Sequence, residues 1–494
     1  MPRGDSALRL TRRTVLGGLI ASATTPLVAE APATSIRPAH RSPEFVRRAV
    51  RSAGDLVADA RLGGKVSFAV ADMRTGAILE ARAPALPQPP ASTAKALTAV
   101  YALDTLGAGF RFQTRLVATG PLTSGRVQGD LILVGGGDPT LDTDGLAEMA
   151  AQLKQVGVRE ISGVFRVADR VLPRLRGIDA EQPDHVGYNP AVGGLNLNFN
   201  RVHFEWRRVS GQYQVTMDAR SGKYRPDVTV ARMQVIDRST PIYTYSDGGG
   251  RDDWTVARAA LGNGGARWLP VRRPALYAGE VFQTLARAHG IQLGRTVELA
   301  ERVEGETLVV RDSAPLPEVL QEMLKYSTNL TAEVVGMTAS ARLGTRLEAL
   351  ADSAGRMNDW LAERGGAARA DLVDHSGLGG DSRISAGDMA RAMVRAGQGG
   401  TLRGLLRTYP VENRPEVTVQ AKTGTLNFVS ALAGYVSMPG GADLAFAIFC
   451  ADAPRRAALS EAERESPEGG SAWTRRARTL QRALLDRWST VYAA

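Results

Sequence analysis

The sequence predicts an α+β protein of more than one domain, on three observations. A helix, a strand hairpin and a second helix open the chain after its leader. A long run of short strands with polar turns follows, from about 113 to 272. Two further strands and an amphipathic helix close it. At 494 residues the chain exceeds one ordinary domain. Its 44% apolar and 23% charged content is that of a globular protein with a large core. No stretch approaches the roughly 20 uninterrupted apolar residues of a membrane span.

Residues 1–33 read as an export leader. Arg3, Arg9, Arg12 and Arg13 precede a mildly apolar run, Val15 to Ala29, and Ala29-x-Ala31 or Ala31-x-Ala33 offers a cleavage site. Thr11-Arg12-Arg13-Thr14-Val15-Leu16 has the form of a twin-arginine signal, which places the folded protein in the periplasm or otherwise outside the cytoplasmic membrane. Cys450 is the single cysteine, so no internal disulfide is available, and its apolar strand context is that of a small core residue. The five histidines show no close ligand spacing, and no metal or cofactor is expected. The formal charge is +10. That excess either draws an exported chain to anionic wall polymer or membrane headgroups or is a solvated arginine surface; no nucleic-acid partner is expected.

Taken in order, Phe45, Val46, Val50, Leu56 and Val57 recur at helical spacing between Pro43 and Ala60. Val66–Val70 and Ala77–Leu79 flank a polar turn ending at Gly76 and read as a hairpin. Leu97, Val100, Tyr101, Leu103 and Leu106 then mark a helix that starts just before Ser92 and stops at Gly107. Leu116–Thr119 and Asp130–Val134 read as strands. Gly135–Leu141 resembles a phosphate loop only in its glycines: Gly-Lys-Ser/Thr is missing and Asp138-Pro139 follows, which suits a turn and a helix start. Tyr213–Met217 and Val228–Val230 are further strands. Helices are expected from Tyr277 to Gly290, from Leu316 to about Leu324, and from near Thr331, with a strand at Leu308–Val310. Asp374–Leu378 is a loop before another helix. Thr418–Thr425, Val429–Val436 and Leu444–Cys450 are strands. The last helix carries Trp473, Ala477, Leu480, Leu484 and Trp488 on one side, a face to pack on a sheet or, failing that, on a membrane surface.

Chemistry concentrates at three places. Ser92-x-x-Lys95 sets a hydroxyl and an amine on one helix face, about a turn apart. A serine is a weak nucleophile until a neighbour takes its proton, and a lysine with a lowered pKa can take it where an arginine cannot. Only six of the 61 basic residues are lysines (Lys65, Lys95, Lys154, Lys223, Lys325 and Lys422), so a lysine here marks a need that arginine does not meet. Taken alone, Ser92 could simply cap the helix and Lys95 sit in solvent. Ser327-x-Asn329 falls at a helix–helix junction, where the same residue types also serve as caps. Lys422-Thr423-Gly424 lies in a strand, and Gly424 permits close approach of another backbone. Each motif is unique in the chain.

In that order, the three motifs are the signature of the penicillin-recognising serine enzymes. The chain resembles the class C low-molecular-mass penicillin-binding proteins, the D-alanyl-D-alanine carboxypeptidase/endopeptidase group. Gly135–Leu141, the Asn196-x-Asn198-x-Asn200 run and Ser376-Gly377-Leu378 support the resemblance. Thr328 stands where aspartate is usual and His375 where glycine is usual. The resemblance implies a catalytic domain with a five-stranded antiparallel sheet flanked by helices, built from 34–112 and 273–494, and a β-rich inserted domain pair over 113–272. It implies an acyl-enzyme on Ser92, with Lys95 as base, Lys422 as a second charge, Ser327 as proton relay and Asn329 as positioner. Thr423, Gly424 and Thr425 would bind substrate, and the N–H groups of Ser92 and Thr425 would hold the oxyanion. Peptidoglycan stem peptides are the implied substrates and β-lactams the implied covalent inhibitors. A β-lactamase shares the motifs, but the long insertion and the lack of Glu-x-x-Leu-Asn weigh against it. A non-catalytic wall-binding or β-lactam-sensing protein is the other alternative.

Overall fold

Alternate residues of the Leu444–Ala451 strand enter two different cores, and this period of two organises the molecule. Leu444, Phe446, Ile448 and Cys450 pack into one core; Ala445, Ala447 and Phe449 pack into the other. The neighbouring Lys65–Asp72 strand does the same, with Phe68 and Val70 on one face and Ala69 and Ala71 on the other. A sheet covered on both faces by helices is the result. The computed structural model describes residues 50–411, 414–440 and 443–493. The export leader and the first part of the helix expected from Pro43 lie outside the described residues.

The catalytic sheet is antiparallel and has six strands rather than the expected five. Its order is Arg407–Pro410, Thr418–Leu426, Val429–Ser437, Leu444–Ala451, Lys65–Asp72, Ile78–Arg82. The added strand is a four-residue edge piece ending in proline, a residue that sheets accept at their edges. The sequence-early hairpin docks on the sequence-late strands through Lys65–Asp72 and Leu444–Ala451, joining the two ends of the chain. Helices Gly470–Val491 and Ala53–Ala60 cover one face. Trp473 and Trp488 are wholly buried there, the Trp473 indole donates to the Leu62 carbonyl at 2.6 Å, and Phe68 meets Trp488 edge-on at 5.7 Å. The last helix thus packs on the sheet. Helices Ala94–Leu106, Leu316–Tyr326, Asn329–Arg342, Leu350–Trp360 and Ala386–Gln398 form the other core, where the alanines of the sheet let them approach closely.

The inserted segment has its own core and a five-stranded sheet, ordered Val297–Leu299, Phe165–Ala168, Leu131–Val134, Gln113–Ala118, Glu306–Asp312. Two three-stranded sheets from 201–270 are nested within it and share that core. Strand pairing does not follow the expected boundary at 272/273. Helix Pro274–Ala288 packs in the inserted core, Val297–Leu299 pairs parallel with Phe165–Val167, and Glu306–Asp312 pairs with Gln113–Ala118. The chain returns to the catalytic core at Leu316. Val228–Val230 precedes a strand rather than forming one; the strand is Ala231–Ile236. Gly135–Leu141 is a turn leading to helix Thr143–Gln155, which Asp142 caps by accepting from the Gly145 N–H at 2.8 Å. The three asparagines of the Asn196–Asn200 run are buried hydrogen-bonding pieces. Asn200 donates to Asn196 Oδ1 at 2.7 Å, and Asn198 accepts from the Thr143 N–H at 3.1 Å.

Candidate active site

Ser92 stands in a short 3-10 turn, Ala91–Thr93, and the α-helix proper begins at Ala94. The turn is strained at Ala91, whose φ of 46° is left-handed for a residue with a Cβ. Thr93 secures it by donating its hydroxyl to the Pro90 carbonyl at 2.7 Å. The strand Thr418–Leu426 runs against this turn. A Cβ on Gly424 would meet the Pro90 carbonyl at 2.7 Å and the Ser92 nitrogen at 3.0 Å, so only glycine lets the strand come this near.

Lys95 is fully buried and its amine has three neighbours. These are Asn329 Oδ1 at 2.7 Å, the Ser376 carbonyl at 2.8 Å and Ser92 Oγ at 3.0 Å. The first two can only accept. A neutral amine has two N–H bonds and one lone pair, so its hydrogens go to Asn329 and Ser376 and the lone pair is left for the Ser92 hydroxyl. Burial, and then the nearby Lys422 charge, lower the Lys95 pKa to about 7; Glu333 and Asp374 oppose this. Lys422, from the strand, donates to Ser327 Oγ at 3.0 Å and to the Thr423 carbonyl at 2.8 Å, and burial lowers its pKa to about 8. Ser327 reaches it by ending helix Leu316–Tyr326 in a left-handed conformation, φ 58° and ψ 38°.

All eight residues singled out in the sequence therefore gather at one place. Ser92, Lys95 and Asn329 are hydrogen-bonded together, Ser327 and Lys422 are bonded to each other, and Gly424 abuts the Ser92 turn. Thr423 is half-buried; Thr425 is exposed and shares with Ser92, Ser327 and Asn329 the wall of a cleft of about 890 Å³.

Three supports lie outside the sequence motifs. Glu333 is completely buried; its two oxygens accept from the His375 N–H at 3.0 Å and the Ser376 N–H at 2.8 Å, which fixes the carbonyl that holds Lys95. Burial and then the neighbouring Asp374 raise its pKa. Its signal was available: it is the one charge in helix Asn329–Arg342 before the terminal Arg342. Asp374 accepts from the N–H groups of Gly377 at 2.7 Å and Gly379 at 2.6 Å, closing the loop. The Tyr188 carbonyl, from the inserted segment, accepts from Asn329 Nδ2 at 2.8 Å.

Both departures from the family pattern have structural consequences. His375 turns its ring away into the core and lies over Gly336, where a Cβ would be 2.2 Å from the ring. Its Nε2 is 2.7 Å from Ser353 Oγ, and burial pushes its pKa down to about 3, so it is neutral. Thr328 caps helix Asn329–Arg342 without a side-chain bond, and its buried Oγ1 has no partner among the described residues.

The two lysines set a pH profile. A Lys95 that takes the Ser92 proton must be neutral, so under that reading the acylation rate should rise with pH through about 7. The positive charge of Lys422 should fade above about 8, turning the rate down again. Lys422→Ala removes the charge that depresses Lys95, so the rising limb should move to higher pH. Penicillin acylation rates measured between pH 5 and 10 check both limbs; a rising limb that stays in place in the variant contradicts the coupling.

The same architecture occurs in known proteins. The family model of the D-Ala-D-Ala carboxypeptidase 3 (S13) family matches residues 50–467. The D-alanyl-D-alanine carboxypeptidase of Actinomadura sp. (strain R39) is 31% identical over 444 residues, 80% of this chain and 79% of that protein. The D-alanyl-D-alanine carboxypeptidase DacB of Haemophilus influenzae is 27% identical over 387 residues, 73% of this chain and 79% of that protein. The crystal structure of penicillin binding protein 4 (dacB) from Haemophilus influenzae superposes with a TM-score of 0.72 at 21% identity, over 88% of this chain and 99% of that one, and shows the fold. No helix among the described residues is long and apolar enough to cross a membrane. With the family model spanning both parts of the catalytic sheet and the whole insertion between them, the chain belongs to the D-Ala-D-Ala carboxypeptidase 3 (S13) family of serine peptidases.

Proposed function

We propose that this D-Ala-D-Ala carboxypeptidase works through an acyl-enzyme on Ser92. The observation that carries the reading is the partner set of Lys95: two acceptors take its hydrogens and leave its lone pair to the Ser92 hydroxyl. Ser92 Oγ attacks the carbonyl between two D-alanines as its proton passes to Lys95. The C–N bond breaks, and Ser327, bonded to Lys422, relays a proton to the departing amine. Water then attacks the ester and frees Ser92. Asn329 holds Lys95 and the substrate amide, Thr423 and Thr425 take the substrate carboxylate, and Gly424 keeps the strand close. A β-lactam, whose strained amide imitates the dipeptide, acylates the same serine. The twin-arginine run at Arg12 and Arg13 supports export to the compartment where peptidoglycan peptides are found.

The test is chromatography of a D-Ala-D-Ala-terminated pentapeptide after incubation with the purified protein. Release of one D-alanine per peptide is expected. Penicillin binding without D-alanine release would favour a sensing role, and rapid penicillin turnover would favour a β-lactamase.

A further inference from the structure

Two carboxylates lie beneath the active site with no cation in contact. Glu333 and Asp374 are buried, and neither forms an ion pair among the described residues. Elsewhere buried aspartates are paired with arginine, as Asp218 is with Arg220 and Asp388 with Arg391. A buried charge without a partner is strongly unfavourable, so two of them beside a nucleophile need a reason. Every hydrogen bond they make is with a donor. Glu333 accepts from the N–H groups of His375 and Ser376; Asp374 accepts from those of Gly377 and Gly379 and from the Ser382 hydroxyl at 3.4 Å. Burial raises the pKa of both. A surrounding made of donors nevertheless fits a carboxylate and not a protonated carboxyl, which must itself donate.

Two successive peptide units link these charges to the Ser92 helix. Asp374 takes the N–H of the peptide between Ser376 and Gly377, and the carbonyl of that same peptide receives the Lys95 amine at 2.8 Å. Glu333 takes the N–H of the preceding peptide, whose carbonyl, on His375, receives the Thr98 hydroxyl at 2.7 Å. Lys95 and Thr98 lie about a turn apart on helix Ala94–Leu106. A carboxylate on the N–H side polarises a peptide and makes its carbonyl a better acceptor. Direct contact would defeat the chemistry: a carboxylate bonded to the Lys95 amine would keep it an ammonium, with no lone pair for Ser92. One peptide away, the charge steadies the ammonium once it forms without fixing it beforehand. Lys422 acts on the same amine in the opposite sense. Asp179, from the inserted segment, adds a further negative charge toward Asp374, and the buried His375 ring is neutral.

We propose that Asp374 and Glu333 are positioning residues for acylation: through the 375–376 and 376–377 peptides they hold the carbonyl that receives Lys95, and they supply the counter-charge for the ammonium formed when Ser92 gives up its proton. The inference rests on the reading of Lys95 as the base. The proton passes from Ser92 Oγ to Lys95 Nζ as the bond from Oγ to the substrate carbonyl carbon forms; neither carboxylate takes it. Removing one of the two negative charges lowers the pKa of Lys95, which moves the rising limb of the pH profile to lower pH. It also leaves the ammonium less stable, which lowers the rate at the plateau.

The test is the pH profile of penicillin acylation in the full-length protein and in E333Q, E333D and D374N. E333Q matches glutamate in size and keeps one acceptor; E333D keeps the charge on a shorter chain. In E333Q and D374N the rising limb should move about one pH unit lower, a modest shift for loss of a nearby opposite charge. The plateau rate should fall by up to about tenfold, the most that one pKa unit of base strength is worth. In E333D the limb should stay in place, whatever happens to the plateau. Thermal melting is read on each variant, and should D374N not fold, the two Glu333 variants decide the matter between them. A limb that stays in place in E333Q while the rate falls at every pH would leave the carboxylates as props of the loop and overturn the proposal. So would a limb that moves as far in E333D as in E333Q. If the unmodified protein shows no rising limb, or Ser92→Ala still takes the label, the reading of Lys95 as base has failed instead.

Discussion

Ser92→Ala is expected to abolish covalent labelling by a fluorescent penicillin, and Lys95→Met to slow it by about 100- to 10,000-fold, the usual contribution of a positioned general base. The serine supplies the bond that holds the label, so no residual signal should survive its loss. The lysine result is more informative. Methionine fills the buried volume without a basic atom, so Ser92 keeps its place in the turn but no group takes its proton. Arginine would be a poorer probe, because it stays protonated and would put a charge where Asn329 and Ser376 together offer only two acceptors. Lys95→Met carries a stability cost: Asn329 Oδ1 and the Ser376 carbonyl each lose a donor, at about 1–3 kcal/mol per group left bare in the interior. Thermal melting of the variant must therefore accompany the rate measurement. Labelling of a folded Lys95→Met protein at the normal rate would remove Lys95 from its role.

How much of this site could be read in advance depended on what each residue bonds to. Ser92, Lys95, Ser327, Asn329 and Lys422 carry side chains whose chemistry is visible in short motifs, and the fold brings those motifs together. Glu333 was missed because its partners are backbone N–H groups more than 40 positions away, which leave no trace in side-chain identity. Tyr188 contributes a carbonyl, which every residue possesses.

The fold shows the same division. Local patterns located the hairpin, the Ser92 helix and the closing strands. The edge strand Arg407–Pro410 has no alternation and only Tyr409 to pack on the core, so the sequence pattern does not mark it. The point at which the chain returns to the catalytic core is hard to read for a different reason. Helix Pro274–Ala288 has an apolar face that fits either core, and its allegiance is set by pairings such as Val297–Leu299 with Phe165–Val167, which lie far apart in sequence.

Gly377→Ala should cost the enzyme most of its acylation activity, by a backbone route that no motif describes. Gly377 has a φ of +71°, and a Cβ there would stand 1.9 Å from the Ala91 carbonyl oxygen. Two penalties follow. The left-handed conformation costs a residue with a side chain about 1–2 kcal/mol. The overlap cannot be relieved by turning a side chain, since both atoms sit on backbone, so either the 374–379 loop or the Ala91–Ser92 turn must move. If the loop moves, the Ser376 carbonyl leaves Lys95, which it holds at 2.8 Å. If the turn moves, Ser92 Oγ leaves the same amine, at 3.0 Å. Either shift separates nucleophile from base, and a displacement of about 1 Å at a reacting centre can cost on the order of 100-fold in rate. Gly290→Ala is the control: its φ is +77° and nothing lies within 4 Å of the added Cβ, so it carries the conformational penalty alone. The expected result is a lowered melting temperature in both variants and slow penicillin acylation only in Gly377→Ala. Normal acylation by Gly377→Ala would mean either that the loop yields without moving Ser376 or that Asn329 alone is enough to hold the Lys95 amine.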